Sequence, residues 1–499
     1  MRTYQLFING SFVNAADGRT FESINPFNGE VVATVARAGA EDARRAVAAA
    51  RAAFDQGPWP AMPLAERSAF LKKLVDAINA RQLDLVALEV ADSGTTIRKA
   101  KEDVALSARN LNYFAKMAAQ PLESEIEGLS KPGFSKNLLC WEPVGVVAGI
   151  IPWNFPLKMA IWKLGPALAA GNTVVLKPSE LTPATAMELA QMVADAGFPP
   201  GVVNIIPGYG AEAGEALVRD RQVDKVSFTG STAVGRKIMS MASETLKKIT
   251  LECGGKSANI VLDDADLELA VDGALYAIFY HQGQCCEAGS RLLLPLSLHD
   301  SFVERLVEKV RRMTIGDPTN PVTEIGPLIS QHQRERVLGY IQSGKQEGAS
   351  LAVGGSTPSG TELSKGFFVE PTIFTGVSNN MKIAREEIFG PVLSVIPYAT
   401  EDEAVAIAND SPYGLAGGIW SADKERALRI ARRLRTGTVW INEWHLISEK
   451  APFGGYKQSG VGREFGMEGI KEYTEAKHLH IDEIGVRSKK FWYDTVVPK

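Results

Sequence analysis

Residues 144–151 read VGVVAGII, 173–177 TVVLK, 202–206 VVNII, 223–228 VDKVSF and 257–261 SANIV. Each is a short apolar run, rich in β-branched residues, as expected of a strand buried on both faces. Segments with helical spacing, Thr182 to Ala196 and Ala211 to Arg219, lie between some of them. Such alternation predicts an α/β chain with a parallel, doubly wound sheet, whose ligands sit at the C-terminal ends of the strands. On the N-terminal side, Phe7 to Val13 reads FINGSFV, a hairpin signal centred on Asn9-Gly10. Helices are expected at Glu41 to Phe54 and Leu64 to Arg81. The polar stretch Gln120 to Asn137, with Pro132-Gly133 at a turn, reads as an arm leaving the domain body. On the C-terminal side a second α/β series runs from about Leu267 to Asn442, with helices near Ser301 to Met313, Gln331 to Glu347 and Lys424 to Arg435.

The chain has 499 residues, too many for one core, so two or three domains are expected. No long disordered linker separates them, which predicts close packing and a cleft. A formal net charge of -4 gives no reason to expect nucleic acid or an anionic membrane as partner. The four cysteines, Cys140, Cys253, Cys285 and Cys286, are too few and too unevenly spaced for a disulfide framework and fit a reducing compartment. The N-terminus MRTYQLFING lacks the pattern of a signal peptide, and the longest apolar run, Val144 to Ile151, is too short to span a bilayer. A cytoplasmic location is expected.

Two nucleotide signatures fail on inspection. Gly255-Lys256-Ser257 ends like a P-loop, but Thr250 stands where that motif needs glycine. Gly208-Tyr209-Gly210 follows a strand, but Gly214 comes one residue late for G-x-G-x-x-G, and a tight strand-to-helix turn accounts for the pair. A third candidate, Phe228 to Gly235, FTGSTAVG, follows a strand and opens a helix. Its glycine and its unpaired helix N–H groups suit a pyrophosphate, and they equally suit a capped helix start with no ligand. Phe279 to Arg291 reads FYHQGQCCEAGSR. The adjacent cysteines have no zinc or redox spacing, leaving a buried structural role or a nucleophile.

These segments resemble the motifs of the aldehyde dehydrogenase superfamily. GQCC is similar to that family's nucleophile motif, with its cysteine on Cys286. Ile249 to Ser257, ITLECGGKS, is similar to its glutamate motif, on Glu252. Ile151 to Pro156, IPWNFP, matches the family's asparagine motif on Asn154. LKPSE at Leu176 to Glu180, EEIFGPV at Glu386 to Val392 and PFGGYKQSG at Pro452 to Gly460 continue the likeness in order along nearly the whole chain.

The resemblance implies NAD-dependent oxidation of an aldehyde to the carboxylic acid. An aldehyde has no leaving group, so a cysteine thiolate must first add to it, and cysteine is a strong nucleophile with an ordinary pKa of about 8.5. The resulting oxyanion needs donors already in place, here the Asn154 amide and the Cys286 N–H, worth roughly 3 kcal/mol each by analogy with acyl-transfer sites. Glu252 would take the proton of the water that hydrolyses the thioester, which requires a desolvated carboxyl with a raised pKa. Lys163 and Glu464 match positions near a proton path. For NAD the resemblance marks Ile151, Trp153, Lys177, Glu180, Gly210, Gly230, Ser231, Glu387 and Phe389. A carboxylate at Glu180 repels a 2′-phosphate, which favours NAD over NADP.

The implied substrate slot has Phe155, Lys158, Met159, Trp162, Tyr280, Trp444, His445 and Phe453 as walls, which suggests an aromatic or medium-length apolar aldehyde. By family position Glu287, directly after the nucleophile, also belongs to these walls; it is expected to point away from the slot, and if it points in it would raise the pKa of Cys286. His478 and His480 are read as surface residues, and no metal is expected. The implied fold is aldehyde dehydrogenase-like, two doubly wound α/β domains plus a small β oligomerisation element. Residues 1–121 and 144–254 would form the NAD-binding domain and 255–458 the catalytic domain. Residues 122–143 with 459–499 would form the arm and tail of a homodimer or homotetramer, in which Phe491, Trp492 and Tyr493 dock on a neighbour, with packing on their own subunit as the alternative. The alternatives are a CoA-acylating semialdehyde dehydrogenase, which typically lacks the Glu252 equivalent, and a catalytically silent structural relative.

Overall fold

Among the described residues, 2–498 of this computed structural model, strand pairing gives four sheets. The larger of the two main sheets runs in the order Gly460–Val461, Lys248–Glu252, Lys225–Thr229, Val146–Ile150, Thr173–Lys177, Val203–Ile205, Leu6–Ile8 and Ser11–Val13. Its five central strands are parallel, and its edges are antiparallel. All four inner strand runs expected from residues 144–228 are here, and their side chains are almost wholly buried, which is why they read as continuous apolar runs rather than as alternation. The Asn9-Gly10 turn closes its hairpin with both residues at positive φ, 53° and 76°, as a two-residue turn of that type demands.

The second sheet holds Ser350–Val353, Thr372–Thr375, Val392–Tyr398, Arg291–Pro295, Ala258–Val261, Ala416–Trp420 and Thr438–Ile441, parallel except at its first edge. Residues 253–257 carry the chain from the last long strand of one sheet into the other. A third, antiparallel sheet pairs Glu123–Glu125 and Thr474–Asp482 on either side of Ser135–Pro143. After Thr474 every residue of that last strand is exposed. Residues 460–473, grouped by sequence with the tail, instead extend the first sheet by a short edge strand and bury Phe465, Ile470 and Tyr473. The register explains this: Leu251 pairs with Val461 and Glu252 with Gly460.

Two helices position the site. Pro156–Ala170 is buried along its whole length. It starts with proline at its first position, where the missing N–H costs nothing. Leu267–Phe279 is capped by Asp266, whose side chain accepts from Leu269 N–H at 2.9 Å. It lies against the second sheet at Gly273, where a β-carbon would meet the Trp420 ring at 2.0 Å. The expected helix at Ala211 to Arg219 begins as a π-turn over Gly210–Gly214, and the helix from Lys424 stops at Ala431.

Because the Gly273 contact sets how closely the helix approaches its sheet, Gly273→Ala should cost about 1–3 kcal/mol through overpacking. A lower Tm in a thermal melt is the expected result, and an unchanged Tm would show that the helix has room to move.

Candidate active site

The helix Leu267–Phe279 ends in a loop whose His281 and Gln282 both take left-handed φ, 50° and 56°. These unusual values for residues with side chains turn the chain back on itself, a kind of strain that marks functional loops. The two adjacent cysteines that follow have different surroundings. Cys285 is buried, its thiol 3.7 Å from the Tyr280 carbonyl. Cys286 opens on a cavity of about 320 Å³ between the two main sheets. Asn154 follows the strand Val146–Ile150, and its side-chain amide donates to the Gln284 carbonyl at 2.8 Å, tying the IPWNFP segment to the loop that carries the two cysteines.

Glu252 ends its strand with its side chain on the same cavity. Both of its carboxyl oxygens are buried without a hydrogen-bond partner. Burial, then the charge of Glu464, raise its pKa well above the ordinary carboxylate value, as sequence reasoning required of this residue. Lys163 and Glu464 form an ion pair with side chains fully out of solvent. The pair is reached from the pocket wall through Phe453, whose backbone exchanges two hydrogen bonds with Glu464. Neither Lys163 nor Glu464 lines the cavity itself.

On the apolar side the cavity is lined by Phe155, Met159, Trp162 and Phe453, with Lys158 among them. Trp162 meets Phe453 edge-on at 5.7 Å, and Ile447 completes this wall. Tyr280, Trp444 and His445 do not line it. Trp444 is 1% exposed; it packs on Trp440 at 5.3 Å and donates its indole N–H to the Glu287 carbonyl at 3.2 Å. His445 and Tyr280 pack together behind Glu287, 4.9 Å between ring centres.

Glu287 takes the inward of its two orientations, against the expectation that it points away. Its side chain lines the cavity, accepts from the Cys286 thiol at 3.2 Å and meets His445 Nδ1 at 3.0 Å. Burial alone would raise this carboxyl, but the His445 hydrogen bond and charge outweigh it and bring it down to about 2. The Cys286 thiol is pushed well above its ordinary value, first by burial and then by the Glu287 charge. The directing signal was the distant His445, which no local pattern links to Glu287.

The other end of the cavity is lined by Trp153, Thr229, Gly230, Ser231, Glu387 and Phe389. Ser231 caps the helix Thr232–Ala242 by accepting from Val234 N–H, and that helix start leaves N–H groups free of intrahelical partners. The Thr229 hydroxyl beside it is buried without a partner. Glu387 accepts from Gly255 N–H at 3.0 Å, and burial pushes its carboxyl up to about 7. Trp153 and Phe389 meet edge-on at 5.2 Å. Lys177, buried and lowered to about 8 by that burial, donates to the carbonyls of Pro178 and Gly208 and stands 3.8 Å from Glu180. Lys177, Glu180, Gly210 and Ile151 lie off the cavity wall; Ile151 is buried, its N–H on the Lys177 carbonyl. His332, Gln333 and Arg336, from the first turns of Gln331–Gln346, line the cavity without having been singled out in the sequence. They carry no motif, only a helix start capped by Ser330. His478 and His480 both approach the Asn137 side-chain oxygen at 2.9 Å. Among the described residues no cluster of three or more metal-ligating side chains occurs, and no helix is long and apolar enough to cross a membrane.

Lys163→Met would leave Glu464 as an uncompensated buried carboxylate. The expected loss of stability is about 3–5 kcal/mol, read as a lower Tm, with most of it regained in the double variant Lys163→Met/Glu464→Gln. If the double variant unfolds at the temperature of the single one, the pairing is not the source of the loss.

Residues 12–479 match the model of the aldehyde dehydrogenase family. The chain is 47% identical over 475 residues to a betaine aldehyde dehydrogenase of Bacillus subtilis (strain 168), covering 95% of this chain and 96% of that one. It is 45% identical over 482 residues to the mitochondrial aldehyde dehydrogenase of Homo sapiens, covering 96% and 92%. Among solved structures it is similar to betaine aldehyde dehydrogenase from Staphylococcus aureus in complex with NAD+, with TM-score 0.94, 42% identity and coverage of 97% and 95%. It is equally similar to the NAD+ complex of an aldehyde dehydrogenase from Bacillus cereus, with TM-score 0.93, 46% identity and coverage of 96% and 97%. The α/β fold is theirs, and the chain belongs to the aldehyde dehydrogenase family as one of its oxidoreductases.

Proposed function

We propose that the protein oxidises an aldehyde to its carboxylic acid with NAD, using Cys286 as nucleophile, Glu252 as general base and Asn154 as oxyanion donor. The observation that carries this reading is that the Cys286 thiol and the unpartnered Glu252 carboxyl open on one cavity.

The residues at the far end suit a dinucleotide. The orphaned Thr229 hydroxyl, Gly230 and the helix start at Ser231 would hold the pyrophosphate. Glu387, Trp153 and Phe389 would flank the nicotinamide end, with Lys177 and Glu180 on the adenosine ribose and Gly210 and Ile151 supporting the groove. When bound, NAD supplies the hydride acceptor. The protein's own part begins with the Cys286 thiolate adding to the carbonyl carbon, which turns the carbonyl oxygen into an oxyanion. The Asn154 amide and the Cys286 N–H would hold that oxygen. Oxidation leaves a thioester on Cys286. Glu252 would then take a proton from water as its oxygen attacks the acyl carbon, releasing the acid and the sulfur. A carboxyl whose pKa is raised by burial accepts that proton better than a solvated one, once ionised. Lys163 and Glu464, buried behind Glu252, would carry the proton away.

The substrate reading favours an aromatic or medium-length apolar aldehyde, supported by the aromatic wall of Trp162, Phe155 and Phe453 and by the Lys158 ammonium beside it, which disfavours a cation. A second reading, a cationic aldehyde, is supported by the Glu287 carboxylate on the same cavity and by the names that several relatives carry. The exposed strand Thr474–Asp482 and the exposed Phe491 and Tyr493 support a homodimer or homotetramer joined through the third sheet.

Glu252→Gln should give a burst of NADH of about one equivalent per site and then slow turnover, because acylation outlives hydrolysis. Cys286→Ala should give no burst, and Cys285→Ala a normal one. Full steady-state turnover in Glu252→Gln, or equal loss in both cysteine variants, would defeat the assignment.

In a panel of aldehydes, benzaldehyde or hexanal should exceed acetaldehyde and betaine aldehyde in kcat/KM by about tenfold, a difference of about 1.4 kcal/mol. If betaine aldehyde leads, the second reading replaces the first.

A further inference from the structure

Glu287 is pinned at both ends. Its backbone carbonyl accepts the Trp444 indole N–H at 3.2 Å, and its carboxylate meets His445 Nδ1 at 3.0 Å through one oxygen and the Cys286 thiol at 3.2 Å through the other. A carboxylate accepts only, so His445 Nδ1 and the Cys286 sulfur each donate a proton to it. The loop that brings His445 carries left-handed φ at Asn442, 56°, and at His445 itself, 59°. Such backbone is uncommon for residues with side chains and persists where the surroundings hold it. Here the rings of Tyr276 and Tyr280 hold His445, at 5.2 and 4.9 Å. The arrangement is built to keep a carboxylate on the nucleophile.

The other ionisable groups around the sulfur come from several elements. Cys285 belongs to the same loop, and Glu387 follows the short helix Lys382–Arg385. Glu252 ends the strand Lys248–Glu252. Lys158 reaches toward Glu287 from Pro156–Ala170. Lys99 and Asp103, from Ile97–Ala118, face Cys285 behind them. Among these described groups only Glu287 hydrogen-bonds the sulfur. Glu252, the base of the later hydrolytic step, has no bond to it, since both of its oxygens lack partners.

Resting on the reading of Cys286 as nucleophile, we propose that Glu287, anchored by His445, is a positioning residue that keeps the proton on the Cys286 sulfur and aims the S–H bond in the substrate-free enzyme. An anion in contact with a thiol disfavours the thiolate. The nucleophile therefore rests as the neutral thiol, the form least prone to oxidation, and it loses its proton only against the pull of Glu287. That pull is removed by Glu287→Gln, whose amide keeps the shape, loses the charge and has an N–H to offer the thiolate.

The test is the pH dependence of alkylation of the substrate-free, full-length enzyme by iodoacetamide, in which the thiolate displaces iodide, with the modified cysteine identified by peptide mass. In Glu287→Gln and in Glu287→Ala the acid limb for Cys286 should move about one pH unit or more lower than in the unmodified enzyme, so the rate near neutrality rises about tenfold or more. A purely structural role would change stability or occupancy without moving this profile. Should Glu287→Ala fail to fold, Glu287→Gln carries the test alone. Superimposable profiles with Cys286 as the alkylated residue overturn the proposal and leave the nucleophile reading intact. Alkylation confined to Cys285 overturns the nucleophile reading, and this proposal with it.

Discussion

The active site depends on a backbone contact that only glycine permits. Where the chain crosses from the first main sheet into the second, a β-carbon on Gly255 would stand 2.2 Å from the Cys286 carbonyl oxygen, and one on Gly254 would stand 2.4 Å from the Glu387 carboxylate. No side chain fits the first gap, and one at Gly254 would displace the Glu387 carboxylate. The strand that ends in Glu252 is thereby laid directly on the nucleophile loop, and Gly255 N–H binds Glu387 at the same point. Gly230 N–H reaches back to the Glu252 carbonyl at 3.0 Å. Glu252, Cys286 and the end of the cavity at Gly230 are thus fixed by a few bonds around one crossing. The crossing also explains why GGKS follows Glu252 without being a phosphate loop: its glycines are spent on packing the backbone.

Around that crossing the protein gathers carboxyl groups and supplies few cations. Glu252, Glu387 and Glu287 all line one cavity, with Glu464 directly behind. The four are handled in three ways. Glu464 is neutralised by Lys163 in a buried pair. Glu252 and Glu387, left with one partner or none, are pushed toward the protonated form by burial. Glu287 is held ionised by His445. Environments that drive like groups apart in this way divide acid, base and positioning duties among residues of one chemical type. Burial without partners is costly, so Glu252 costs the fold stability, as the proposed role of base in hydrolysis would require.

Much of this was legible in the sequence because it rests on local pattern. Buried parallel strands read as apolar runs, and Asn9-Gly10 read as a turn. Glu252, Cys286 and Asn154 could be singled out because each sits in a motif several residues long, and all three line one cavity. What escaped notice is what long-range packing decides. Trp444 looked like a pocket wall, yet a β-carbon on Gly418 would meet its ring at 2.3 Å, so that missing side chain makes room for the indole behind the wall. His332, Gln333 and Arg336 reach the cavity only because their helix begins there. Residues 460–473 read as part of a tail because a two-residue edge strand has no periodicity to detect.

Glu287 shows the limit most clearly. A residue following a nucleophile on a loop has its side-chain direction set by χ1, and sequence offers nothing to choose among the staggered positions. Elementary electrostatics argues for the outward one, since an inward carboxylate opposes the thiolate. That argument omits His445, more than 150 residues later in the chain. Once a hydrogen-bond donor is fixed in the interior, the inward rotamer gains a charge-assisted bond that a solvent-facing one exchanges only for water. The loop bearing His445 holds left-handed backbone at two residues to make that bond available. A local rule is broken at Glu287, and the cost is borne by the strained turn that carries its partner. Such paired departures, one at the reacting atom and one in the loop behind it, are where a site's particular chemistry is written.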